Sequence, residues 1–431
     1  MKQDYFLNSP RSLIRSNNFA PKNQGKGFEM TKKPRILLCW GYNRKNWIEF
    51  FETLNDSFEF VYLFYMTKEE EQEVFTENRR VYYTDFSSPS HLLKTISPSK
   101  VIFMGLDGLQ TIAINIQARK FGIPTYFMVH GSATLSLDDY RDFRFAPRNL
   151  IRETFSKKLK LWWFTFNWTV KALGLKYIHV LPQLLRFQVN RLNMHPLIAL
   201  AKWKSRHRRP DRYIVFSNED VKFYSDLDSS STEDFIVLGN LEITRSIELA
   251  KELGVTQDGY LLYIETPLSI IEGNAFDINK ISKEEVNQLI SSMNEYALSR
   301  GWKLVVKLHP YSFSNTFFIQ HPNIRYEKGS EKETLILGAN GVVFYNSSLS
   351  IPSLFFKPCS MFIINEPDEF QSVLSSIGVC QVLDYKTLIN DPASLEFIEP
   401  SEIAKTNFVE KYIGRGADGN GLQRLKETLL S

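Results

Sequence analysis

The sequence predicts an α/β protein built from two parallel-sheet lobes. Short apolar runs with the character of buried strands alternate with helix-like stretches along most of the chain, and this alternation is typical of crossover units in a parallel sheet. At 431 residues the chain exceeds what one hydrophobic core usually serves, which favours two domains. Two polar clusters follow strand-like runs in the C-terminal third, where an open parallel sheet binds its ligands.

The first alternating series predicts an N-terminal lobe over residues 34–150. Its strand-like runs are Arg35 to Gly41, Phe58 to Tyr65, Arg80 to Thr84, Val101 to Gly105 and Tyr126 to Val129. A helix is predicted from Thr111 to Phe121, because Gly122 and Pro124 follow it and end it. Residues 1–33 are polar and basic without an apolar core, so they are interpreted as a flexible tail and not as a signal peptide.

A second alternating series predicts a C-terminal lobe over residues 211–400. Its strand-like runs are Tyr213 to Phe216, Phe235 to Leu238, Tyr260 to Ile264, Leu304 to Val306 and Val342 to Phe344. Between the third and fourth runs, the stretch from Lys283 to Ser299 carries apolar residues at helical spacing. Residues 401–431 are predicted to form a closing helix that returns to the N-terminal lobe.

The two polar clusters predict a phosphate site. The first comprises Lys307, His309 and Pro310, and the second comprises Asn346, Ser347 and Ser348. A cation, an imidazole and two hydroxyls suit a phosphate group, and a helix predicted to begin at Leu349 would place both serines at its N-terminus, where unpaired backbone N–H groups favour anions. A structural role stays open, since Pro ends strands and Ser commonly caps helices.

Two further residues that follow predicted strands, Gly239 and Thr266, are candidates for close approach to a nucleotide, although a simple turn would also account for them. No metal or cofactor is predicted. Asp226 and Asp228 have a metal-like spacing, but hard cations require more converging oxygens. Cys39, Cys359 and Cys380 are widely spaced and form no metal-ligand pattern, which indicates a reducing cytosol.

The segment from 151 to 210 has the most unusual composition and is predicted to be a membrane-associating insertion. Residues 151–209 contain thirteen Lys or Arg and one Glu, a net charge of +12 in a chain whose total is +4, so the remainder carries −8. Four of the seven tryptophans also lie there. Basic residues interleaved with aromatic ones suit the headgroup region of an anionic bilayer.

The residues predicted to bind the membrane are Lys157, Lys158, Lys160, Trp162, Trp163 and Trp168. The longest apolar run, Leu161 to Val170, is too short to span a bilayer, which takes about 20 residues. The expected location is therefore the cytoplasmic, inner face of the cell membrane. Two alternatives stay open: nucleic-acid binding, which is disfavoured because no recognised motif surrounds the segment, and packing of the rings between the lobes.

The His-Pro and Ser-Ser elements, followed by Leu354 to Pro358 before another strand, resemble the C-terminal lobe of bacterial surface-polysaccharide glycosyltransferases with the two-lobed GT-B fold. They are similar in particular to sialyltransferases, polysialyltransferases and Kdo transferases, which use CMP-activated sugars. Phe408 to Gly414, with Asp418 and Arg424, is also similar to the closing helix of these enzymes. The resemblance covers most of residues 210–431.

This resemblance implies two Rossmann-like lobes facing a central cleft, with no metal requirement. It implies transfer of a sugar from a nucleotide-activated donor to a bacterial surface polysaccharide or a lipid-linked glycan. A CMP-sugar is the favoured donor, and a UDP-sugar is the other option. No nucleic-acid partner is expected. A non-catalytic, membrane-docked nucleotide-binding protein of the same fold is a further alternative.

The catalytic base has two candidates. The sialyltransferase motif has two acidic residues before a glycine, whereas here Leu106, Asp107 and Gly108 supply one, and by this resemblance Asp107 would take the proton of the acceptor hydroxyl. His130 with Gly131 resembles a His-Gly segment of teichoic acid glycerophosphotransferases, so transfer of a phosphoalcohol from a CDP-linked donor is the alternative reaction. Asp138 and Asp139 are weaker candidates, because adjacent aspartates in a loop are usually solvated.

Overall fold

The computed structural model describes residues 33–40, 45–65, 78–106, 108–131, 137–138, 155–203, 205–268, 281–329, 331–347 and 349–431. Residues 1–32 of the predicted tail thus lie outside the described residues. The strands are β1 (Arg35–Trp40), β2 (Glu59–Phe64), β3 (Arg79–Tyr82), β4 (Lys100–Phe103), β5 (Thr125–Met128), β6 (Arg212–Val215), β7 (Phe235–Val237), β8 (Tyr260–Ile264), β9 (Lys303–Lys307), β10 (Ile324–Glu327), β11 (Gly341–Phe344), β12 (Cys359–Ile363) and β13 (Gln381–Asp384).

The helices are α1 (Lys45–Glu52), α2 (Pro89–Ile96), α3 (Leu109–Lys120), α4 (Phe155–Leu173), α5 (Leu181–Asn193), α6 (Pro196–Ala201), α7 (Asn218–Asp228), α8 (Leu241–Leu253), α9 (Lys283–Ser299), α10 (Lys332–Gly338), α11 (Ser350–Phe356), α12 (Glu369–Ile377), α13 (Tyr385–Asn390), α14 (Glu402–Phe408) and α15 (Gly421–Leu430). Short 3₁₀ turns connect several of them. The predicted helix from Lys283 to Ser299 coincides with α9.

Two parallel sheets organise the fold. The first has seven strands in the order β3-β2-β1-β4-β5-β6-β7, and the second has six in the order β10-β9-β8-β11-β12-β13. All the strand pairs between described residues are parallel. In each sheet the strand order reverses once, at β1/β4 and at β8/β11, and such a reversal opens a crevice at the carboxyl ends of the strands.

The boundary between the two sheets differs from the predicted boundary at residue 211. β6 pairs with β5, and β7 pairs with β6, so both strands complete the first sheet. The second sheet begins only with Tyr260 in β8, after helix α8. Local alternation predicts that a strand exists, but its partner is selected by packing across the insertion that separates β5 from β6.

The strands of the second sheet are apolar on both faces because helices cover both. In β8, Leu261 and Tyr263 join the core under α9 and α13, whereas Leu262 and Ile264 join the core under α8, α10, α11 and α12. Every residue of β8 is buried. Continuous apolar runs of this kind are what a parallel sheet covered on both sides requires.

The C-terminal segment returns to the first lobe. Leu425 and Leu429 of α15 belong to the core of the first lobe, and Lys100 Nζ donates to the Leu429 carbonyl at 2.9 Å. Arg424 donates from Nε to the Leu238 carbonyl at 2.7 Å and forms an ion pair with Asp418 at 2.8 Å. The hydrogen bond from Arg424 lowers the pKa of Asp418 to about 2.

Gly239 is required where this returning segment approaches the end of β7, while close approach of a nucleotide to Gly239 stays a prediction. Its φ is +92°, and a Cβ there would lie 2.0 Å from the Gly416 nitrogen. The adjacent Asn240 N–H donates to the Ile413 carbonyl at 3.1 Å. Only a residue without a side chain allows the two backbones to approach so closely.

Trp168 does not face a membrane, so its predicted membrane-binding role is wrong. It is 1% exposed in the first-lobe core, and its indole N–H donates to the Phe86 carbonyl at 3.0 Å. Trp203 is also buried, and it donates to the Gln183 side chain at 2.8 Å. Part of the aromatic content of the insertion therefore packs inward, against α3 and the loop after β3.

Candidate functional site

Three polar loops meet at the carboxyl ends of β8, β9 and β11. β8 pairs with both β9 and β11, so Glu265, His309 and Asn346 leave the sheet side by side. Glu265 is 5% exposed; its Oε2 accepts a hydrogen bond from the His309 backbone N–H at 2.8 Å, and its Oε1 accepts one from the Ser312 hydroxyl at 2.9 Å. The Glu265 carboxylate therefore holds the loop that carries His309.

Sequence reasoning missed Glu265, although one signal for it is present. It directly follows the apolar run of β8, as Lys307 ends the apolar run of β9. Burial raises the pKa of Glu265 to about 7, while the hydrogen bonds from His309 and Ser312 and the charge of Lys307 act in the opposite direction. The carboxyl group consequently titrates near neutral pH, in the range where functional groups are often tuned.

We expect Glu265→Gln to change the pH dependence of stability. The folded-state pKa of about 7 lies above the ordinary value of 4.5, so between these pH values the folded protein binds more protons than the unfolded chain. The free energy of unfolding of the wild type should therefore fall, relative to the variant, by up to about 3 kcal/mol as the pH rises through this window. Urea unfolding across the pH range measures this difference.

The Gln side chain can still accept from His309 and donate to Ser312, so the loop should stay in place in this variant. Glu295→Gln, on the exposed face of α9, is the matched control and should follow the wild-type pH dependence. A constant difference between wild type and Glu265→Gln from pH 4.5 to 7 would contradict the assignment of this titration to Glu265.

The loop after β11 is tied to its neighbours on both sides. The Thr266 hydroxyl donates to the Asn346 carbonyl at 3.1 Å, which joins the ends of β8 and β11. The Asn346 amide donates to Asp368, the residue that caps α12, at 2.5 Å. The Asn346 side chain thus positions the loop after β11, and the Thr266 hydroxyl holds this loop against the end of β8.

Ser347 caps a turn ahead of α11, which begins at Ser350, close to the predicted start at Leu349. The Ser347 Oγ accepts from the Leu349 N–H at 3.2 Å, and the Ser350 hydroxyl donates to the Ser347 carbonyl at 2.5 Å. The Ser347 hydroxyl can still donate its own proton outward. Ser348 lies outside the described residues.

Lys307 ends β9 half-buried, and its ammonium group donates to the Leu308 carbonyl at 3.3 Å. Burial lowers its pKa, and Glu327, its partner in register on β10, acts to raise it. Pro310 begins a 3₁₀ turn that reverses the chain after His309. A second His-Pro pair, His321 with Pro322, precedes β10 and so lies at the opposite, amino edge of the sheet. A third pair, His195 with Pro196, lies at the start of α6. Of the three pairs, only the one at His309 reaches the crevice.

The two predicted candidates for the catalytic base follow strands of the first lobe. His130 follows β5 and is half-buried, and the loop that follows the neighbouring β4 contains Asp107 between Leu106 and Gly108. Asp107 lies outside the described residues, as does Asp139. Since β4 and β5 are adjacent, His130 and the described residues on either side of position 107, Leu106 and Gly108, lie at the same edge of the sheet.

Helix α8 links the two lobes. Leu241 is buried in the core of the first lobe and Ile243 in a core of the second. Glu242 forms an ion pair with Lys332 of α10 at 2.8 Å, and Arg245 lies 3.7 Å from Glu49 of α1. The lobes are therefore connected by packed side chains as well as by the chain itself.

The backbone is similar to several solved structures over more than nine-tenths of this chain. A single-residue variant of the wall teichoic acid polymerase TagF superposes with a TM-score of 0.51 at 11% identity, covering 92% of this chain and 88% of that one. The glycotransferase of kitacinnamycin gives 0.48 at 11% identity, over 93% and 99% of the two chains. UDP-GlcNAc 2-epimerase from Neisseria meningitidis bound to UDP-GlcNAc gives 0.48 at 13% identity, over 92% and 99%.

The protein has the GT-B fold. The two all-parallel lobes and the likeness to the TagF variant confirm the fold class that the sequence predicts. No protein-family model and no curated protein matches the sequence. At identities near 10% the similarity establishes the fold, so function must be argued from the site itself.

Two tryptophans of the insertion are exposed, in contrast to the buried Trp168 and Trp203. Trp162 and Trp163 are 43% and 58% exposed, and the Trp162 ring stacks on Phe166 with 5.3 Å between centroids. The side chains of Lys157, Lys158 and Lys160 lie outside the described structure. Among the described residues, no helix is long and apolar enough to cross a membrane.

Proposed function

We propose that this protein is a glycosyltransferase that moves a sugar from a nucleotide-activated donor to a bacterial surface polysaccharide or a lipid-linked glycan. One observation supports this most directly: polar loops at the carboxyl ends of β8, β9 and β11 are bound to one another at the switch point of the second sheet. In open parallel sheets this is the place where nucleotides and phosphates bind.

In this proposal, His309 and Lys307 supply positive or donor groups to the phosphate that leaves with the nucleotide, and Ser347 and Ser348 donate hydroxyl hydrogen bonds to it. Glu265, Thr266 and Asn346 hold these loops in position. Preformed donors aimed at the leaving phosphate stabilise charge that develops in the transition state. A base from the first lobe, Asp107 or His130, would remove the proton of the acceptor hydroxyl. A CMP-sugar is the favoured donor.

We expect CMP to raise the melting temperature of the wild-type protein more than UDP or GDP does, because a ligand that binds only the folded state stabilises it by mass action. CDP is the fourth nucleotide in this melting-temperature panel. His309→Ala and the double change Ser347→Ala/Ser348→Ala should each lose most of the nucleotide-induced shift, and they should lower turnover by about 10²-fold or more. Differential scanning fluorimetry measures the first effect, and release of nucleotide from the donor measures the second.

His321→Ala is the matched control, since it removes the histidine of another His-Pro pair, which lies at the far edge of the same sheet. It should keep the nucleotide-induced shift. If His309→Ala and the double serine variant retained wild-type turnover with a saturable donor, the donor site would lie elsewhere. If no nucleotide in the panel shifted the wild type, the proposal of a nucleotide-activated donor would fail.

The protein is further proposed to bind peripherally to the anionic, cytoplasmic face of the cell membrane, where a lipid-linked acceptor would be anchored. The exposed Trp162 and Trp163, which lie within the segment of net charge +12 over residues 151–209, support this. Aromatic rings favour the interfacial region, and each basic residue near an anionic surface contributes about 1 kcal/mol.

A further inference from the structure

A cavity of about 310 Å³ lies at the amino ends of β5 and β6, at the edge of the first sheet opposite the strand ends of the candidate active site. Its lining is rich in arginine and serine and includes Arg119, Arg206, Arg209, Ser229, Ser230 and Ser231. Arginine guanidinium groups and serine hydroxyls are the donors that proteins most often present to phosphate oxygens. Nothing in the proposed transfer reaction uses this cavity.

The arginines of this cavity carry more positive charge than their neighbours neutralise. Arg119 is paired with Asp211 at 3.2 Å. Arg209 donates from Nη1 to the Ser229 carbonyl at 2.9 Å, and its buried Nε–H has no hydrogen-bond partner in the part of the chain that the structure describes. Neither Arg206 nor Arg209 forms an ion pair with any carboxylate among the described residues.

The other carboxylate of the lining, Asp234, is engaged by the backbone, since its Oδ2 accepts from the Ser231 N–H at 3.1 Å. The surroundings are also basic. The His179 and His207 rings lie 5.5 Å apart, and His207 directly follows Arg206 in the chain. Burial lowers the pKa of His207, and the nearby His179 and Arg119 lower it further, as expected where positive charge is concentrated.

Exposed apolar side chains lie beside this basic cavity. Leu175 is 93% exposed and Ile178 is 48% exposed, both on the 3₁₀ stretch Leu175–Val180 after α4. The Tyr177 ring of this stretch packs on His207 at 4.8 Å and lies 4.9 Å from Lys120 Nζ. These two residues directly follow Arg206 and Arg119 of the cavity lining, which places the stretch close to the cavity. Proteins that bind one face of a membrane commonly combine exposed apolar side chains, which enter the headgroup layer, with nearby basic residues, which attract anionic lipids.

We propose that the cavity of Arg119, Arg206 and Arg209 binds the headgroup phosphate of an anionic phospholipid, while Leu175 and Ile178 enter the acyl boundary beside it. This inference rests on the membrane association proposed above and gives it a defined site. Because the cavity lies at the amino edge of the first sheet, the bound lipid anchors the protein and is not the acceptor. Turnover on a soluble acceptor is therefore independent of it.

The test measures binding of the full-length protein to mixed phosphatidylglycerol and phosphatidylcholine vesicles by co-sedimentation, with pure phosphatidylcholine vesicles alongside. Wild type binds the anionic vesicles, and binding weakens as salt is added. Arg206→Glu/Arg209→Gln lowers vesicle affinity at least about tenfold, since it removes three charge units near the surface. Leu175→Asp, which leaves every arginine in place, lowers it as well.

The matched control is Lys251→Glu/Arg300→Gln, which makes the same charge change at exposed positions outside the cavity and leaves vesicle affinity near that of wild type. All variants keep the nucleotide-induced shift of the melting temperature, which separates failure of this site from failure of the proposed function. Equal vesicle binding by the arginine variant and the wild type overturns the proposal, as does absence of wild-type binding. Calorimetric binding of soluble glycerol phosphate without vesicle binding identifies a free phosphate ligand and overturns it too.

Discussion

Substitution of Asp107 by Asn is expected to lower kcat by about two to four orders of magnitude, the usual contribution of a positioned acid or base. Donor affinity should change little, because Asp107 follows β4 in the first lobe whereas the proposed phosphate loops belong to the second. An amide of the same size cannot accept the acceptor's proton. Steady-state kinetics with the donor varied separates kcat from KM.

Asp226→Asn, at an exposed position of α7, is the control for loss of one carboxylate and should be fully active. His130→Ala provides the comparison that distinguishes the reactions. If His130→Ala were inactive while Asp107→Asn kept wild-type kcat, Asp107 would not be the base, and transfer of a phosphoalcohol from a CDP-linked donor would become the favoured reaction.

Replacing Arg208 by Met is expected to lower the free energy of unfolding by about 3–5 kcal/mol. Arg208 is 1% exposed and forms an ion pair with the buried Asp228, which also accepts a hydrogen bond from the Tyr213 hydroxyl. Arg208 further donates to the Trp203 carbonyl at 2.6 Å and to the Leu200 carbonyl at 3.1 Å. Its removal leaves a buried carboxylate without a counter-charge, and it takes one of two donors from each of two carbonyls, which keep only the backbone N–H groups of Ser205 and Trp203. Chemical unfolding of purified protein measures the loss.

The double variant Arg208→Met/Asp228→Asn should recover part of that stability, since no unpaired charge remains and the amide oxygen can still accept from Tyr213. Arg186→Met, on an exposed position of α5 in the same basic segment, should stay within about 0.5 kcal/mol of wild type. A loss near zero for Arg208→Met would contradict the expectation that Asp228 needs its counter-charge for stability.

Arg208 shows that the composition of a segment does not determine which of its side chains are buried. Arg208 is one of the thirteen basic residues that predict a membrane-facing segment, yet it is among the most buried side chains of the protein. The prediction for Trp168 is wrong for the same reason. Charge and aromatic content describe a segment as a whole, whereas the face that each helix turns inward depends on what packs against it, here α3 and the loop after β3.

The candidate site was predictable where its residues follow long apolar runs. His309 and Asn346 follow β9 and β11, and the rule that parallel strands open at their carboxyl ends brings them together. Glu265 was not found, because the sequence does not show that β8 lies between β9 and β11. Buried between those strands, the carboxylate accepts hydrogen bonds from the His309 loop, and its pKa rises.

By itself the sequence determined the alternation of strands and helices, the span of α9, the strand ends that carry polar residues and the basic character of residues 151–209. These are local properties, set by residue type and spacing. Only the tertiary structure decided that β6 and β7 complete the first sheet, that Gly239 admits the returning chain at Gly416, and that Arg206 and Arg209 line one cavity with Ser229. Those features depend on contacts between residues distant in the chain, whose free energy comes from burial and hydrogen bonding in the assembled core and leaves no periodic signal in the sequence.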